Sequence, residues 1–177
     1  MTHSLSSVRP ASPSSALAKF LVTTLVTALT GTALAMSAPA PASAVAVQTS
    51  KASSVAASTY ERRVQRLINV RRSNHGLRAL RHQRCSDGTA ERWSRHLART
   101  NLFYHQSMTT VLNSCNARYA GETLGRGSIP PRRLVRMWMR SPGHRAILLT
   151  RQARRIGIGA KLDQQGQWVV AANFIRR

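Results

Sequence analysis

Three residues of this chain, His105, Glu122 and His144, carry side chains that could bind a ligand or move a proton. Two imidazoles and one carboxylate suffice to hold a divalent metal such as zinc, with water in the open position. The same groups can also serve in acid–base chemistry. Their gaps of 17 and 22 residues match no compact metal motif. The competing interpretation is that the three side chains hydrogen-bond one another and hold loops together.

The surroundings of these residues differ from those of the other histidines. His105 follows an apolar stretch at residues 102–104, and His144 ends the rigid turn Ser-Pro-Gly-His. Glu122 is one of only five acidic residues in the chain. His96, on a predicted helix, is interpreted as a partly exposed helix residue and not as a ligand.

The charge of the chain is strongly one-sided. Its 177 residues contain 27 lysines and arginines against 5 acids, which gives a net charge of +22. Such a balance predicts attraction to anions: nucleic acid, phosphate polymers or acidic membrane surfaces. Few acids leave little room for a mechanism built on many carboxylates. The length suits one domain, or one domain plus a tail.

Residues 1–44 have the pattern of a secretory signal peptide. A basic start precedes the uncharged segment 20–36, and small residues follow at Ala42 and Ala44. Cleavage is predicted after Ala44, with Ala35 as the second choice. An uncleaved membrane anchor is the alternative, but five threonines and a glycine make the segment a weak span. We therefore expect a secreted, extracellular protein with no transmembrane span after processing.

The two cysteines, Cys85 and Cys115, are 30 positions apart. In an exported chain a disulfide is permitted, and the sequence predicts one bridge between them. The alternative is two free or intermolecular thiols. A bridge would leave no cysteine to act as a nucleophile.

The apolar periodicity predicts a helical domain that closes on a β-hairpin. Residues 45–58 are small and polar and are interpreted as a flexible linker. Helices are predicted over 59–73 and 86–100, and a third from Pro130-Pro131 to just before Ser141. Alternating apolar residues at 156–162 and 168–174 flank a turn and predict the hairpin. Helices followed by a hairpin indicate an α+β layered domain over residues 59–177.

Several motifs resemble those of the CAP superfamily (cysteine-rich secretory, antigen 5 and pathogenesis-related 1 proteins), also called the SCP domain. Phe103-Tyr104-His105 matches its aromatic-x-His motif, and Gly121-Glu122-Thr123 resembles Gly-Glu-Asn. Residues 138–145, WMRSPGHR, match the motif of the small exported bacterial members, and the closing hairpin also corresponds. The motifs occur in the family's order across the whole predicted domain.

The resemblance implies a fold and a site. The fold is a three-layer α-β-α sandwich around a central antiparallel sheet. The family's cleft carries two histidines and two acids, and some members bind a divalent metal there. His105, Glu122 and His144 match three of these four positions, whereas Ser141 stands where the second acid often lies. Thr123 and Ile147 replace asparagines whose amides could order the loops.

Three functions compete at this point. The first is a non-catalytic binding module, with no catalytic residues, for an anionic envelope polymer, a lipid or another extracellular ligand. The second is a hydrolase that uses His105, Glu122 and His144, with or without zinc. The third is a nucleic-acid-binding protein, against which stand the export signal and the lack of a reading motif. We favour the first, as a monomer without specific nucleic-acid binding.

Overall fold

The computed structural model describes the backbone of residues 42–177 and the side chains of residues 53–177. The predicted signal peptide lies almost wholly outside these residues and stays a prediction. The helices are α1 (Ala42–Ser73), α2 (Arg84–Thr100), α3 (Met108–Cys115), α4 (Pro131–Arg140) and α5 (Pro142–Leu148). The strands are β1 (Arg81–His82), β2 (Tyr119–Gly127), β3 (Arg155–Leu162) and β4 (Trp168–Arg176).

The four strands form one sheet in the order β1-β3-β4-β2. β4 is central and pairs antiparallel with both β3 and β2, so the predicted closing hairpin is confirmed. The Asp163 carboxylate closes its turn by accepting hydrogen bonds from the backbone N–H groups of Gln165 and Gln167. β1 adds a two-residue parallel pair to β3 at the edge of the predicted central antiparallel sheet.

Helices cover both faces of the sheet. Val170, Ala172 and Phe174 of β4 pack into a core with α1, α4 and α5. The alternate residues of the same strand face α2 and α3. Because side chains of a strand point alternately to its two faces, a central strand that is apolar throughout is buried on both sides. The predicted three-layer α-β-α sandwich is confirmed.

The first helix begins much earlier than predicted. It starts at Ala42 and not near residue 59, so the interpretation of residues 45–58 as a flexible linker is wrong. The segment contains alanines and neither glycine nor proline, and alanine has the highest intrinsic helix propensity. Ala57 and Tyr60 are buried against the domain. A helix that forms around Ala57 and Tyr60 can extend toward the N-terminus, because residues 45–58 contain no helix-breaking glycine or proline.

Two acidic side chains accept hydrogen bonds from the part of β3 that does not pair with β1. β1 pairs only with Arg155 and Ile156. Beyond that pair, the N–H of Ile158 donates to Asp87 and the N–H of Ala160 donates to Glu61, at 3.1 and 2.8 Å. Both backbone groups are thereby satisfied, as buried N–H groups must be.

We expect Glu61 to make stability depend on pH. Burial, followed by the hydrogen bond and charge of Glu91, raises the pKa of Glu61 to about 8. The folded state therefore holds a proton that the unfolded chain releases, so stability falls as pH rises from about 5 to about 8. The variant Glu61→Gln keeps both hydrogen-bonding roles and should flatten this part of the profile. Chemical denaturation across the range measures it, and parallel profiles for the two proteins would contradict the assignment.

A candidate ligand-binding cleft

Three different elements bring the predicted site residues to one place. His105 lies in the loop between α2 and α3, Glu122 lies on β2 opposite Asn173 of β4, and His144 lies in the first turn of α5. Pro142 at the first position of α5 presets the backbone for that helix. All three site residues line a single cavity of about 470 Å³, together with Met108, Ala120, Gly121, Ser141, Gly143 and Ile147.

His105 and Glu122 form a direct pair. The distance from His105 Nδ1 to Glu122 Oε1 is 2.6 Å. The Glu122 side chain is 2% exposed whereas that of His105 is 59% exposed. The buried carboxylate therefore orients an imidazole whose other edge faces solvent. The interpretation that these residues hydrogen-bond one another is confirmed for this pair.

A partly buried chain of hydrogen bonds supports the carboxylate from behind. The Gln106 side-chain amide donates to Glu122 Oε2 at 2.5 Å and to Asn173 Oδ1 at 3.1 Å. Asn173 in turn donates to the hydroxyl of Thr89 on α2. A satisfied network of this kind rigidifies the groups it joins. The position of His105 is thus fixed by β2, β4 and α2 together.

His144 is poised as a neutral imidazole. Burial, and secondarily the neighbouring His105, lower the pKa of His144. A lowered pKa keeps this imidazole uncharged near neutral pH, where it can both donate and accept a hydrogen bond.

The loop that carries His105 is anchored on two sides. Toward α2, Trp93 Nε1 donates to the carbonyl oxygen of Tyr104, and the Tyr104 hydroxyl lies 2.9 Å from His96 Nε2. Toward β2, Arg126 donates to the carbonyl oxygen of Leu102 and lies 5.3 Å from the ring centre of Phe103. His96 is therefore a loop anchor on the helix surface.

An apolar cavity adjoins the histidine cavity. It has about 340 Å³ and is lined by Phe103, Leu124, Gly125, Arg126, Leu134, Met137, Trp138, Ser141 and His144. Ser141 and His144 line both cavities, so the two meet there. Phe103 and Met137 are 49% and 48% exposed, so both are accessible to a ligand in this cavity. The cleft therefore combines a polar end with an apolar end.

The polar end does not fit a three-residue metal centre. Within residues 53–177, no three His, Cys, Asp or Glu side chains are grouped in a way that could hold an ion. Both oxygens of Glu122 already accept hydrogen bonds, from His105 and Gln106. Ser141, at the position of the family's second acid, offers a hydroxyl in place of a carboxylate. The predicted ligation of zinc by His105, Glu122 and His144 is not supported by this arrangement.

Sequence reasoning missed Gln106 and Asn173. Gln106 directly follows the aromatic-x-His motif and Asn173 is the polar residue within an apolar strand, which was the available signal. In the structure, Gln106 donates a hydrogen bond to the Glu122 carboxylate, and Asn173 accepts one from Gln106. Together they fix the carboxylate that contacts His105. Thr123, in contrast, has a buried hydroxyl with no hydrogen-bond partner among the described residues, so it does not replace the missing amide.

Comparison with known proteins agrees with this fold and these motifs. The sequence model of the cysteine-rich secretory protein family, CAP, matches residues 65–174. The chain belongs to that family.

Three of the similar proteins come from bacteria. The chain is 35% identical over 132 residues to the uncharacterized protein YkwD of Bacillus subtilis, which covers 71% of this chain. It spans about half the length of that curated relative, namely 51%. An extracellular SCP-domain protein of Bacillus anthracis superposes with a TM-score of 0.62 at 23% identity, covering 68% of this chain and 41% of the other. An outer surface protein of Borrelia burgdorferi gives a TM-score of 0.59 at 18% identity, covering 64% of this chain and 89% of the other.

Within residues 42–177, none of the helices combines the length and apolar character that crossing a membrane requires.

The predicted bridge between Cys85 and Cys115 is present.

Proposed function

We propose that this protein is an exported, non-catalytic binding module that takes an amphiphilic ligand in the cleft. The apolar part of the ligand would lie against Phe103 and Met137. Its anionic head group would accept a hydrogen bond from His144 and lie beside His105, whose Nδ1–H already donates to Glu122. The observation that carries the proposal is the meeting of a polar and an apolar cavity at Ser141 and His144.

The engagement of the reactive groups supports binding over catalysis. Both oxygens of the Glu122 carboxylate accept hydrogen bonds, one from His105 and one from Gln106. This favours a role in orienting His105 over the uptake of a substrate proton. Both cysteines are consumed by the disulfide. A rigid, hydrogen-bonded polar end beside exposed apolar side chains is a general feature of binding sites for small molecules.

Export is supported by three independent features. The N-terminal pattern of residues 1–44 is that of a signal peptide. Disulfides persist mainly in oxidising, extracytoplasmic compartments. The similar proteins include one described as extracellular and one described as an outer surface protein. We infer that this chain acts outside the cell or at its envelope.

We expect a cleft variant, Phe103→Ser/Met137→Ser, to bind dodecyl phosphate at least about fivefold more weakly than the unmodified protein. Losing two apolar contacts that the ligand covers removes roughly 1–3 kcal/mol of binding free energy, and about 1.4 kcal/mol corresponds to a factor of ten. Isothermal titration calorimetry below the micelle concentration measures the Kd.

The matched control is Val70→Ser/Leu162→Ser, which removes two similarly exposed apolar side chains outside the cleft. It should bind like the unmodified protein. Equal losses in the two double variants, or no binding by the unmodified protein, would contradict the proposal. Dodecyl maltoside, which has the same tail and a neutral head, should bind more weakly than the phosphate because it lacks the charge.

A further inference from the structure

A second surface lies on the outer side of the layer formed by α1 and α4, which pack against each other. Seven arginines are exposed there, and we call them the arginine face. They are Arg62, Arg63 and Arg66 of α1 and Arg132, Arg133, Arg136 and Arg140 of α4. The apolar sides of the same two helices are buried against the sheet.

No acidic side chain neutralises the arginine face, because each of the five acids is engaged elsewhere. Glu61 and Asp87 accept hydrogen bonds from the backbone of β3, Glu122 accepts one from His105, and Asp163 accepts hydrogen bonds from the hairpin turn. Glu91 pairs with Lys161 at 2.5 Å. Since the chain has no other acids, no carboxylate remains to pair with the exposed arginines of this face.

The arrangement on α4 opposes helix stability. Arg132 and Arg133 lie in its first turn, where the helix dipole already places positive charge, and that turn contains no acid. Arg132, Arg136 and Arg140 follow one another at intervals of four, a spacing at which like charges repel. Arg140 in the last turn suits the helix dipole, but helix electrostatics does not account for Arg132, Arg133 and Arg136, whereas an anionic partner does.

We propose that the arginine face binds a linear phosphodiester polymer. Guanidinium groups hydrogen-bond phosphate oxygens in pairs, which suits arginine better than lysine to this role. The stripe Arg132, Arg136, Arg140 presents a charge about every 6 Å along the helix, a regular array suited to a chain of repeating charges. None of the seven arginines lines either cavity of the cleft, so the proposal extends the proposed function to a second surface.

A polymer fits this surface better than a lipid bilayer. Among the described residues of α1 and α4, the exposed large apolar side chains are Val55, Val70 and Met137. Val55 and Val70 are about 22 Å apart along α1, and Met137 lines the cleft. Helices that lie in a membrane interface need a continuous apolar face to bury, which these isolated residues do not supply.

Poly(glycerol phosphate) is the probe, bound to the purified protein at several salt concentrations. We expect Arg132→Gln/Arg133→Gln/Arg136→Gln to lower affinity at least about tenfold near physiological salt. It should also reduce the slope of log K against log salt by about 2, since each single-strand phosphate contact contributes about 0.7. The α1 variant Arg62→Gln/Arg63→Gln/Arg66→Gln should act in the same direction.

The control removes the same charge from the opposite layer, as Arg84→Gln/Arg92→Gln/Arg99→Gln on α2. This variant should lose less than about threefold in affinity for the polymer, because the lower net charge has a small residual effect. Equal losses in the α4 and α2 variants would overturn the proposal, as would tighter binding to phosphatidylglycerol vesicles at equal phosphate. The cleft variant Phe103→Ser/Met137→Ser should bind the polymer normally. Loss of polymer binding in this cleft variant would place the polymer in the cleft and would also overturn the proposal.

Discussion

A Gly157→Ala variant is expected to lose more than about 4 kcal/mol of folding stability, or to fail to fold. Gly157 of β3 faces α2, and a Cβ atom there would collide with the backbone of Ser86 and Asp87. Gly159 stands in the same relation to Ala90, whose carbonyl carbon would lie 2.5 Å from the added atom. Backbone cannot rotate away as a side chain can, so the helix would have to move off the sheet. Denaturation followed by circular dichroism measures the loss.

Gly143→Ala is the matched control for this substitution. Gly143 lies within α5, and an added Cβ would meet nothing within 4 Å. Alanine in a helix is favoured over glycine by about 1 kcal/mol, so this variant should be as stable as the unmodified protein or slightly more so. Equal stability of the Gly157→Ala and Gly143→Ala proteins would refute the close approach of α2 to β3.

Loss of the disulfide should have the second largest effect. Cys85 and Cys115 are 30 residues apart, and the bridge ties α2 to the end of α3. By loop entropy such a crosslink contributes about 3–4 kcal/mol. Because Cys115 is also buried against Val111 and Ile175, alanine there adds a small packing loss. The double variant Cys85→Ala/Cys115→Ala should unfold at a markedly lower denaturant concentration.

Reduction provides the control for the disulfide. Treating the unmodified protein with a reductant should bring its midpoint close to that of the double variant, whose own midpoint should not respond to the reductant. If the reduced protein keeps the stability of the oxidised one, the bridge does not stabilise this domain.

Much of the architecture could be predicted because its signals are local. The hairpin follows from alternating apolar residues around Asp163–Gly166, and α4 follows from Pro131 at its start and Ser141 at its end. The pattern predicted a helix over 86–100, and α2 begins two residues earlier, at Arg84. Each of these elements is encoded by the residues it contains.

Features that depend on distant partners could not be predicted. The parallel pairing of β1 with β3 joins segments more than 70 residues apart, and no local pattern specifies it. The start of α1 was missed because a composition typical of linkers is also rich in alanine, and docking of Ala57 and Tyr60 decides the outcome. In the site, the motifs identified His105 and Glu122, but the Gln106–Asn173 support exists only once β2 and β4 are paired.

The central claim, that the cleft holds the apolar part of an amphiphile, is tested most directly by methyl NMR. Protein labelled at its isoleucine, leucine and methionine methyl groups would be titrated with dodecyl phosphate below its micelle concentration. We predict saturable shifts at Met137 and Ile147, which line the two parts of the cleft, and none at Leu162, which lines a different cavity. Shifts centred on Leu162, or no saturable shifts at Met137 and Ile147, would contradict it.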